Sequence, residues 1–332
     1  MGAGLPSVLE VPGETLAERK RRFLRGLASP KGYRRYLGAP LRYPGGKSAA
    51  VGYIVELLPD HVERLVSPFL GGGSVEVAVA KELGVRVVAY DIFGILVNFW
   101  QVLLDPVQKA KMLEVLRGLK PDRATYEEVK EALKRYWHHT QYGEGEPGFL
   151  AQDRILLAAY FYFNYQLSYG PGFLGWPSSL YLRSDAYQRL LAKLETFSVP
   201  GLEVHQGDFR QVLPRHRKDF LYLDPPYYLG QGSKVFKGLY PMRNFPIHHE
   251  GFPHETLKEL LDDHEGGFIL SYNDCPAVRS LYAQDIQLFP KWPYSMGLGE
   301  KRIGRNRRER GGGDHRKESH EILILRPRRD DA

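Results

Sequence analysis

The sequence predicts an α/β fold in which helices cover both faces of a mainly parallel sheet. An apolar run at residues 64–69, a glycine turn, a helical pattern at 74–83 and a β-branched run at 85–90 form a strand–helix–strand unit. Beyond residue 200, short strand-like runs return with helical segments between them, which is typical of parallel sheets. These runs are residues 202–205, 220–223, 268–272 and 322–325, with a helical run at 254–263 before the third.

Before the strand–helix–strand unit, a glycine turn leads into a helical run at 49–58, which Pro59 ends. After the unit, about eighty largely helical residues precede the later strands, and we interpret them as an insertion into one α/β domain. The helical runs of this region are residues 105–120, 125–136, 154–166 and 184–197. The chain is therefore expected to divide into a basic N-terminal leader at 1–35, loose over residues 1–18, a sheet domain at 36–120 and 196–332, and an inserted domain at 121–195.

The composition excludes several classes of protein. The chain of 332 residues is 43% hydrophobic and 26% charged, values that are ordinary for a globular protein and argue against wholesale disorder. Cys275 is the single cysteine, which excludes an internal disulfide and a zinc site built from several cysteines. The start of the chain lacks a signal-peptide pattern, and the longest apolar run, 155–163, is far shorter than a membrane span. We therefore expect a cytoplasmic protein that does not bind membranes.

A metal site is not expected either. His248, His249 and His254 lie with two glutamates in the segment HHEGFPHE, but their spacing fits no helical ligand pattern before Pro253. We interpret this segment as a polar loop that leads into a helix.

The positive charge is clustered. The net charge is +7, and residues 19–35 carry eight basic side chains and no acidic one. Residues 301–317 carry eight basic and two acidic side chains. Such clusters favour a polyanionic partner, although each run alone is equally well explained as a solvated tail.

The most informative segment, FLYLDPPYY, follows a buried strand. Asp224, Pro225, Pro226 and Tyr227 stand directly after the apolar residues 220–223. The two prolines fix the backbone and remove two donors, so the Asp224 carboxylate and the Pro225 carbonyl form a stiff pair of acceptors. Such a pair matches the two hydrogens of an exocyclic amino group, and Tyr227 offers a ring for stacking on a base. The alternative is an ordinary proline turn with an aspartate acceptor.

A glycine-rich turn, FLGGGS, joins the first strand of the unit to its helix. Phe69, Gly71 and Gly73 lie in it, and glycines there let a ligand approach the backbone near a helix N-terminus. Asp91 follows about twenty residues later at the end of the next strand, where an acid commonly binds ribose hydroxyls. Together they predict a cofactor that contains adenosine.

A second glycine segment, YPGGKS, contains Tyr43 and Lys47. It is not a P-loop, because the position five residues before Gly46 is Leu41 rather than glycine, and no apolar strand leads into it. Lys47 is expected to contact a carboxylate or a phosphate across a cleft.

YPGGKS, PFLGGGS, YDI and DPPY, in this order, resemble the motifs of the Dam-like (D12 class) DNA adenine-N6 methyltransferases. The motifs cover residues 41–228, and FILSYND at 268–274 is similar to a later strand of that family. The resemblance implies a Rossmann-like, S-adenosylmethionine-dependent methyltransferase sheet, with a mainly helical target recognition domain inserted at 121–195.

The resemblance also implies roles for individual residues. Tyr43, Lys47, Phe69, Gly71, Gly73 and Asp91 correspond to the S-adenosylmethionine site, with Asp91 on the ribose. Asp224 is implied to lie near both the cofactor and the target base, and Asp208, in HQGDF, near the cofactor adenine.

Two positions depart from the family pattern. Tyr43 replaces a tryptophan, and Ser67 stands where the family usually has an acid before Pro-Phe. The acid that neutralises the ammonium group of the cofactor is therefore missing or is supplied by another part of the chain.

DNA contacts are expected from the inserted domain and from two other segments. In the loop 168–179, Tyr169 and Trp176 are candidates to wedge or stack, and Arg183 is a candidate to read a guanine edge. Phe161 and Phe163 are expected in the core. The remaining candidates for phosphate or base contact are Lys234, Lys237, Arg302, Arg305, Arg307 and Arg308.

The sequence thus predicts a site-specific enzyme that methylates adenine N6 in duplex DNA after flipping the base, with Asp224, Pro225, Pro226 and Tyr227 as catalytic residues. S-adenosylmethionine is the expected cofactor, duplex DNA the substrate, and a cognate restriction endonuclease a candidate partner. Three alternatives stay open: a cytosine-N4 enzyme, an RNA adenine methyltransferase, and a non-catalytic DNA-binding protein with a degenerate cofactor fold.

Overall fold

The computed structural model describes residues 13–146, 148–170, 172–228, 251–291 and 321–329. Its strands are β1 (Ala28–Ser29), β2 (Gly32–Tyr33), β3 (Arg64–Ser67), β4 (Arg86–Asp91), β5 (Leu202–Gln206), β6 (Phe220–Leu223), β7 (Phe268–Asn273), β8 (Ile286–Leu288) and β9 (Glu321–Arg326). Its helices are α1 (Leu16–Leu27), α2 (Val51–Leu57), α3 (Ser74–Leu83), α4 (Gly94–Leu104), α5 (Pro106–Gly118), α6 (Arg123–Tyr142), α7 (Arg154–Leu167), α8 (Ser184–Glu195), α9 (Phe209–Arg215), α10 (His254–Asp262) and α11 (Pro276–Leu281). Short 3-10 helices cover Lys47–Ala49 and Phe149–Ala151.

The main sheet has seven strands in the order β5-β4-β3-β6-β7-β9-β8. β3, β4, β5, β6 and β7 run parallel, and β9 is antiparallel to both of its neighbours. From β3 the chain adds β4 and β5 on one side and later returns to add β6 on the other side. The strand order therefore reverses between β3 and β6, and ligands of open α/β sheets bind at such a switch point, beyond the carboxyl ends of the strands.

Alternate residues of each strand face two separate cores. Leu65 and Phe220 belong to the larger core, whereas their neighbours Val66 and Leu221 belong to the smaller one. The smaller core is completed by Leu213 of α9 and other apolar side chains of α10 and α11. Helices on both faces bury the central strands completely, so the predicted α/β, Rossmann-like class is confirmed.

The helices α4 to α8 lie between β4 and β5 in the chain. α7 packs against α4, α5 and α6, so the inserted residues share a core with helices that precede position 121. Phe161 and Phe163 of α7 are fully buried, as expected. The division of the chain into domains at residues 120 and 195 stays a prediction.

The expectation of a loose leader is wrong for the described residues 16–18, where α1 begins. Thr15 and Glu18 form a reciprocal capping box that satisfies backbone donors at the start of α1. Phe23 and Leu27 are buried, and α1 packs against α2 and α3. None of the helices among the described residues is long and apolar enough to cross a membrane.

Candidate active site

The carboxyl ends of β3, β4 and β6 meet at the switch point of the sheet. The glycine turn follows β3, Asp91 is the last residue of β4, and Asp224 follows β6 directly. The sequence predicted these three segments as parts of one site, and the topology brings them to the same edge of the sheet.

The glycine turn is held by Trp100 and Asp91. Gly71 and Gly73 have φ angles of 48° and 66°, which favour glycine, and a Cβ on Gly73 would lie 2.6 Å from the Trp100 ring. The Trp100 indole donates to the Gly71 carbonyl at 3.1 Å. The backbone N–H groups of Gly71 and Phe93 donate to the two carboxylate oxygens of Asp91, each at 2.9 Å.

Asp91 is therefore a half-buried acid that organises the turn. Burial raises its pKa, and hydrogen bonds from the backbone N–H groups of Phe93 and Gly71 oppose that rise. Each carboxylate oxygen has a further lone pair with which to accept from a ligand.

Lys47 lies against Asp224. The Lys47 ammonium is 2.7 Å from Asp224 Oδ1 and donates to the Gly45 carbonyl at 3.0 Å. The 3-10 helix that begins at Lys47 leads into α2, which fixes the lysine in the cleft. Burial raises the pKa of Asp224, and the charge of Lys47 opposes the rise. The sequence predicted a carboxylate or a phosphate as the partner of Lys47, and in this structure it is a carboxylate.

Glu321 is a site residue that sequence reasoning missed. It is the first residue of β9, only 6% exposed, and one carboxylate oxygen lies 3.8 Å from the Lys47 ammonium. Burial raises the pKa of Glu321, while Lys47 and the Tyr227 hydroxyl lower it. The Lys47 ammonium is also 4.9 Å from the centre of the Tyr227 ring, within cation–π range. Lys47 thus connects Asp224, Glu321 and Tyr227.

Glu76 is a second residue that the motif analysis missed. It lies in the first turn of α3, is 2% exposed, and accepts a hydrogen bond of 2.6 Å from the Ser67 hydroxyl. Burial raises the pKa of Glu76 to about 8, and the nearby charges of Asp224 and Asp91 add to the rise, while the hydrogen bonds from Ser67 and from the backbone oppose it. The signal in the sequence was Ser67 itself, a hydroxyl in place of an expected acid.

Aromatic rings flank the turn on two sides. Tyr43 stacks on Tyr165 of α7 with ring centres 5.7 Å apart, and its ring lies against Gly71. Phe69 packs against Phe209 and Phe252 instead, at 5.6 and 5.7 Å. Tyr43 is thus placed to contact a ligand at the turn, whereas Phe69 supports the turn from the smaller core.

Asp208 lies beyond the carboxyl end of β5, at the same edge of the sheet as Asp91. Its carboxylate caps α9 and forms an ion pair with Arg210 at 2.5 Å. Hydrogen bonds from Arg210 lower the pKa of Asp208. The structure brings its neighbour Gly207 to the Asp91 carbonyl, with an N–H to oxygen distance of 3.0 Å, but Asp208 itself bonds to Arg210.

The candidate DNA-contact residues are exposed where the structure describes them. Tyr169 is 61% and Trp176 72% exposed, and the Tyr169 N–H donates to the Trp176 carbonyl, so both rings rise from one narrow loop. Arg183 bonds to the carboxylate of Asp185 in the first turn of α8. Lys234, Lys237, Arg302, Arg305, Arg307 and Arg308 lie outside the described residues, as do His248 and His249.

The charges of the site fit a cationic ligand. Glu76 and Glu321 are buried acids, Asp91 and Asp224 are half-buried, and among the described residues Lys47 is the basic side chain that contacts any of the four. Buried carboxylates need opposite charge or they become neutral. A cationic ligand therefore matches the excess of acids beside the glycine turn. Among the described residues, no group of three or more potential metal ligands is present.

The sheet order, the glycine turn and the Asp-Pro-Pro-Tyr segment at the switch point define a Rossmann-like methyltransferase. The family model for the D12 class N6 adenine-specific DNA methyltransferases matches residues 43–296, and the chain belongs to this family.

Curated relatives are similar at low identity. The type II methyltransferase M.FokI of Planomicrobium okeanokoites is 26% identical over 214 residues, which are 60% of this chain and 30% of that protein. The type II methyltransferase M1.LlaDCHI of Lactococcus lactis subsp. cremoris is 21% identical over 257 residues, which are 73% of this chain and 83% of that protein. The chain thus aligns with less than a third of the length of M.FokI and with most of M1.LlaDCHI.

Proposed function

We propose that this protein transfers a methyl group from S-adenosylmethionine to the N6 amino group of adenine at a specific site in duplex DNA. The observation that carries the proposal is the position of Asp224, Pro225 and Tyr227 at the carboxyl end of β6, at the switch point and beside the glycine turn. Family membership supports the reaction type, and both relatives are named as methyltransferases.

Asp224 and the Pro225 carbonyl are proposed to accept the two hydrogens of the target amino group. That group is conjugated with the purine ring and is a poor nucleophile. Two acceptors hold the nitrogen closer to tetrahedral geometry and aim its lone pair at the methyl group, so positioning and preorganised electrostatics supply most of the rate. Pro226 keeps the acceptors rigid. The base must leave the duplex to reach them, and stacking on Tyr227 offsets part of the cost of flipping.

Lys47 is proposed to leave Asp224 when the base arrives. In this structure the lysine occupies Asp224 Oδ1, which the amino group needs, and Glu321 is the second carboxylate within reach. A small movement of the Lys47 ammonium toward Glu321 would free Asp224 and would still leave the ammonium paired with a carboxylate.

The cofactor site is proposed to comprise the glycine turn and the residues around it. S-adenosylmethionine, when bound, supplies a methyl group on a positively charged sulfur. Gly71 and Gly73 let the turn approach the ligand closely, and Asp91 is proposed to accept from ribose hydroxyls. The other proposed contacts are Tyr43, Lys47, Phe69, Asp208 and Asp224.

The DNA-binding surface is proposed to include the loop with Tyr169 and Trp176, and residues 121–195 are proposed as the recognition domain. Arg183 would have to leave Asp185 to reach a base. Lys234, Lys237, Arg302, Arg305, Arg307 and Arg308 are proposed phosphate contacts on sequence grounds alone. A cognate restriction endonuclease and a cytoplasmic location are proposed as well, the first because both relatives are called type II methyltransferases.

The test is methyl transfer to unmethylated duplex DNA of diverse sequence, with labelled S-adenosylmethionine and mass spectrometry of the nucleosides. We expect labelled N6-methyldeoxyadenosine from the wild type. Asp224→Ala should lower the rate by at least about a hundredfold because an acceptor of the target amino group is lost. Binding of S-adenosylmethionine, measured by calorimetry, should stay detectable in that variant.

Each alternative has its own outcome in the same assay. Labelled N4-methyldeoxycytidine would keep the mechanism and change the base. Label in RNA alone would overturn the DNA assignment, and no label together with intact DNA binding would establish a non-catalytic protein. Near-normal turnover by Asp224→Ala would refute the role of Asp224.

A further inference from the structure

A buried glutamate lies behind the glycine turn. Glu76 is on the first turn of α3 and 2% exposed, and its carboxyl group accepts from the hydroxyl of Ser67, the last residue of β3. The bond length of 2.6 Å is that of a strong O–H···O contact. This pair therefore stands at the carboxyl end of β3, where ligands of such sheets bind.

The surroundings of Glu76 are acidic. Asp91 and Asp224 are close enough to raise its pKa, and among the described residues no basic side chain forms an ion pair with it. Lys47 pairs with Asp224 and lies near Glu321 instead. Ionising a buried carboxyl group among other acids costs free energy unless a cation binds next to it. A further positively charged group at this position would therefore be stabilised.

A purely structural role explains Glu76 less well. An acid in the first turn of a helix interacts favourably with the helix dipole and the free backbone N–H groups. That benefit is available to an exposed side chain and does not require burial beside two other acids. A glutamine would also keep the hydrogen bond to Ser67 without the cost of burying a charge.

We propose that Glu76, held by Ser67, binds the ammonium group at the amino-acid end of S-adenosylmethionine. The inference rests on the proposed function and deepens it. The family's usual acid is replaced by Ser67, and the structure places a carboxylate one hydrogen bond further back, so the serine hydroxyl and Glu76 together replace that acid. Asp224 stays available for the target amino group.

Ligand binding should then displace a proton. Glu76 has a pKa of about 8 in the free protein and is mostly protonated at pH 7. An ammonium group beside it favours the ionised form, so its proton leaves to solvent and the affinity rises between pH 6 and 8. Three titratable groups lie near Glu76: Asp91 on β4, Tyr222 on β6, and Asp224 directly after β6. Lys47 is the charged group next to Asp224. Comparison with Glu76→Gln isolates the contribution of Glu76.

The experiment is calorimetry on the full chain with three ligands: S-adenosylmethionine, S-adenosylhomocysteine, which keeps the ammonium but has an uncharged sulfur, and 5′-methylthioadenosine, which has an uncharged sulfur and lacks the whole amino-acid end. Glu76→Gln should weaken the first two at least about tenfold, as loss of a buried ion pair does, and leave the third within about twofold. Proton release, measured in buffers of different ionisation enthalpy, should occur with the first two ligands only and fall in the variant.

Two further variants make the result decisive. Glu82→Gln removes another buried acid of α3, which accepts from the Tyr36 hydroxyl at 2.9 Å, and should leave all three affinities unchanged. Ser67→Asp combined with Glu76→Gln moves the carboxyl group from position 76 to position 67. This double variant should restore the affinity for S-adenosylmethionine to within a few-fold of the wild-type value.

The inference and the proposed function fail in different ways. If Glu76→Gln lowers the affinities for all three ligands equally, or lowers none of them, the proposed role of Glu76 is wrong. Methyl transfer by the wild type would still support the proposed function in that case. If Glu76→Gln does not fold, an absence of proton release by the wild type with S-adenosylmethionine overturns the inference by itself. Failure of the wild type to bind S-adenosylmethionine overturns the proposed function and this inference with it.

Discussion

At the scale of single residues, Lys47 determines how the buried charges of the site are balanced. Its ammonium lies 2.7 Å from Asp224 and 3.8 Å from Glu321, and it lies near the Tyr227 ring. A lysine with one carboxylate partner would hold that partner tightly and keep it from a substrate. With two carboxylates in reach, the lysine can shift from one to the other at little electrostatic cost.

Glu321 is expected to set how readily Lys47 leaves Asp224. Glu321→Gln removes the second partner of Lys47, so the lysine should stay on Asp224 and compete with the target amino group. We expect the single-turnover rate of methyl transfer to fall about tenfold, equivalent to about 1.4 kcal/mol in the barrier. The affinity for S-adenosylmethionine should change less than threefold.

Rapid-quench measurement of the first turnover gives the rate, and calorimetry gives the affinity. Glu203→Gln is the matched control, because Glu203 is an exposed acid that pairs with Arg86 on β4, outside the site. A Glu321→Gln rate equal to that of Glu203→Gln would show that Lys47 does not need the second carboxylate.

Sequence reasoning found the site residues that belong to local motifs. Asp224 and Lys47 each stand in a segment whose prolines or glycines mark a turn, and Asp91 ends a β-branched run. The structure brings all three to one edge of the sheet. Glu76 and Glu321 have no such local mark, since each is a polar residue beside apolar ones. Ser67 comes to lie beside Glu76, and Lys47 beside Glu321, only through the topology of the fold, which a single sequence does not specify.

At the scale of elements, the glycine turn between β3 and α3 has little space for any side chain. Gly73 has φ of 66°, and Trp100, whose ring would be 2.6 Å from an added Cβ, also bonds to Gly71. The turn is thereby held on the side of α4, opposite the face that Tyr43 covers. Its conformation depends on α4 as much as on the three glycines themselves.

Gly73→Ala should therefore destabilise the protein. The positive φ and the overlap with Trp100 together are expected to cost about 2–4 kcal/mol in the free energy of unfolding. Urea unfolding followed by tryptophan fluorescence measures the change. Gly118→Ala is the control, because Gly118 ends α5 with no atom within 4 Å of an added Cβ and should be neutral or slightly stabilising. Similar midpoints for the two variants would mean that the turn adapts.

The sequence predicted the bounds of an element nearly to the residue where its apolar period is clear or where glycine or proline marks its ends. α3 and β6 have the expected bounds, as an apolar pattern between glycines or before two prolines requires. α4 was missed because the run GILVNFWQVLL has only Asn98 and Gln101 as polar residues, too few to give a clear amphipathic period. α1 was missed because its basic residues suggested a solvated segment, although the Thr15–Glu18 capping box marked its start.

At the scale of the whole molecule, α7 connects the glycine turn to an exposed aromatic loop. Tyr165 of α7 stacks on Tyr43 at the glycine turn, and three residues later the chain enters the loop with Tyr169 and Trp176. The Ser168 hydroxyl donates to the carbonyls of Tyr165 and Gly170 and accepts from the N–H of Gly172, and the backbone of Ser168 pairs with that of Pro177 across the loop. Hydrogen bonds within the loop thus fix its shape, and the exposed rings of Tyr169 and Trp176 are the candidates for contact with DNA.

Trp176→Ala should weaken the binding of duplex DNA without changing methyl-donor affinity. Stacking or wedging of one aromatic ring contributes about 1–3 kcal/mol, so we expect a loss of about tenfold in affinity. Stacking releases no counterions, so the slope of log affinity against log salt should stay that of the wild type, whereas loss of a phosphate contact reduces the slope by about one.

Fluorescence anisotropy with a labelled duplex, at salt concentrations from low to physiological, gives both quantities. Phe149→Ala provides the comparison, since Phe149 is another exposed aromatic of the inserted region, 53% exposed, and lies outside the loop. If both variants bind as the wild type does, the loop is not part of the DNA-binding surface. If Trp176→Ala changes the salt slope, the adjacent Lys130, whose ammonium is 5.1 Å from the Trp176 ring, is the contact that was lost.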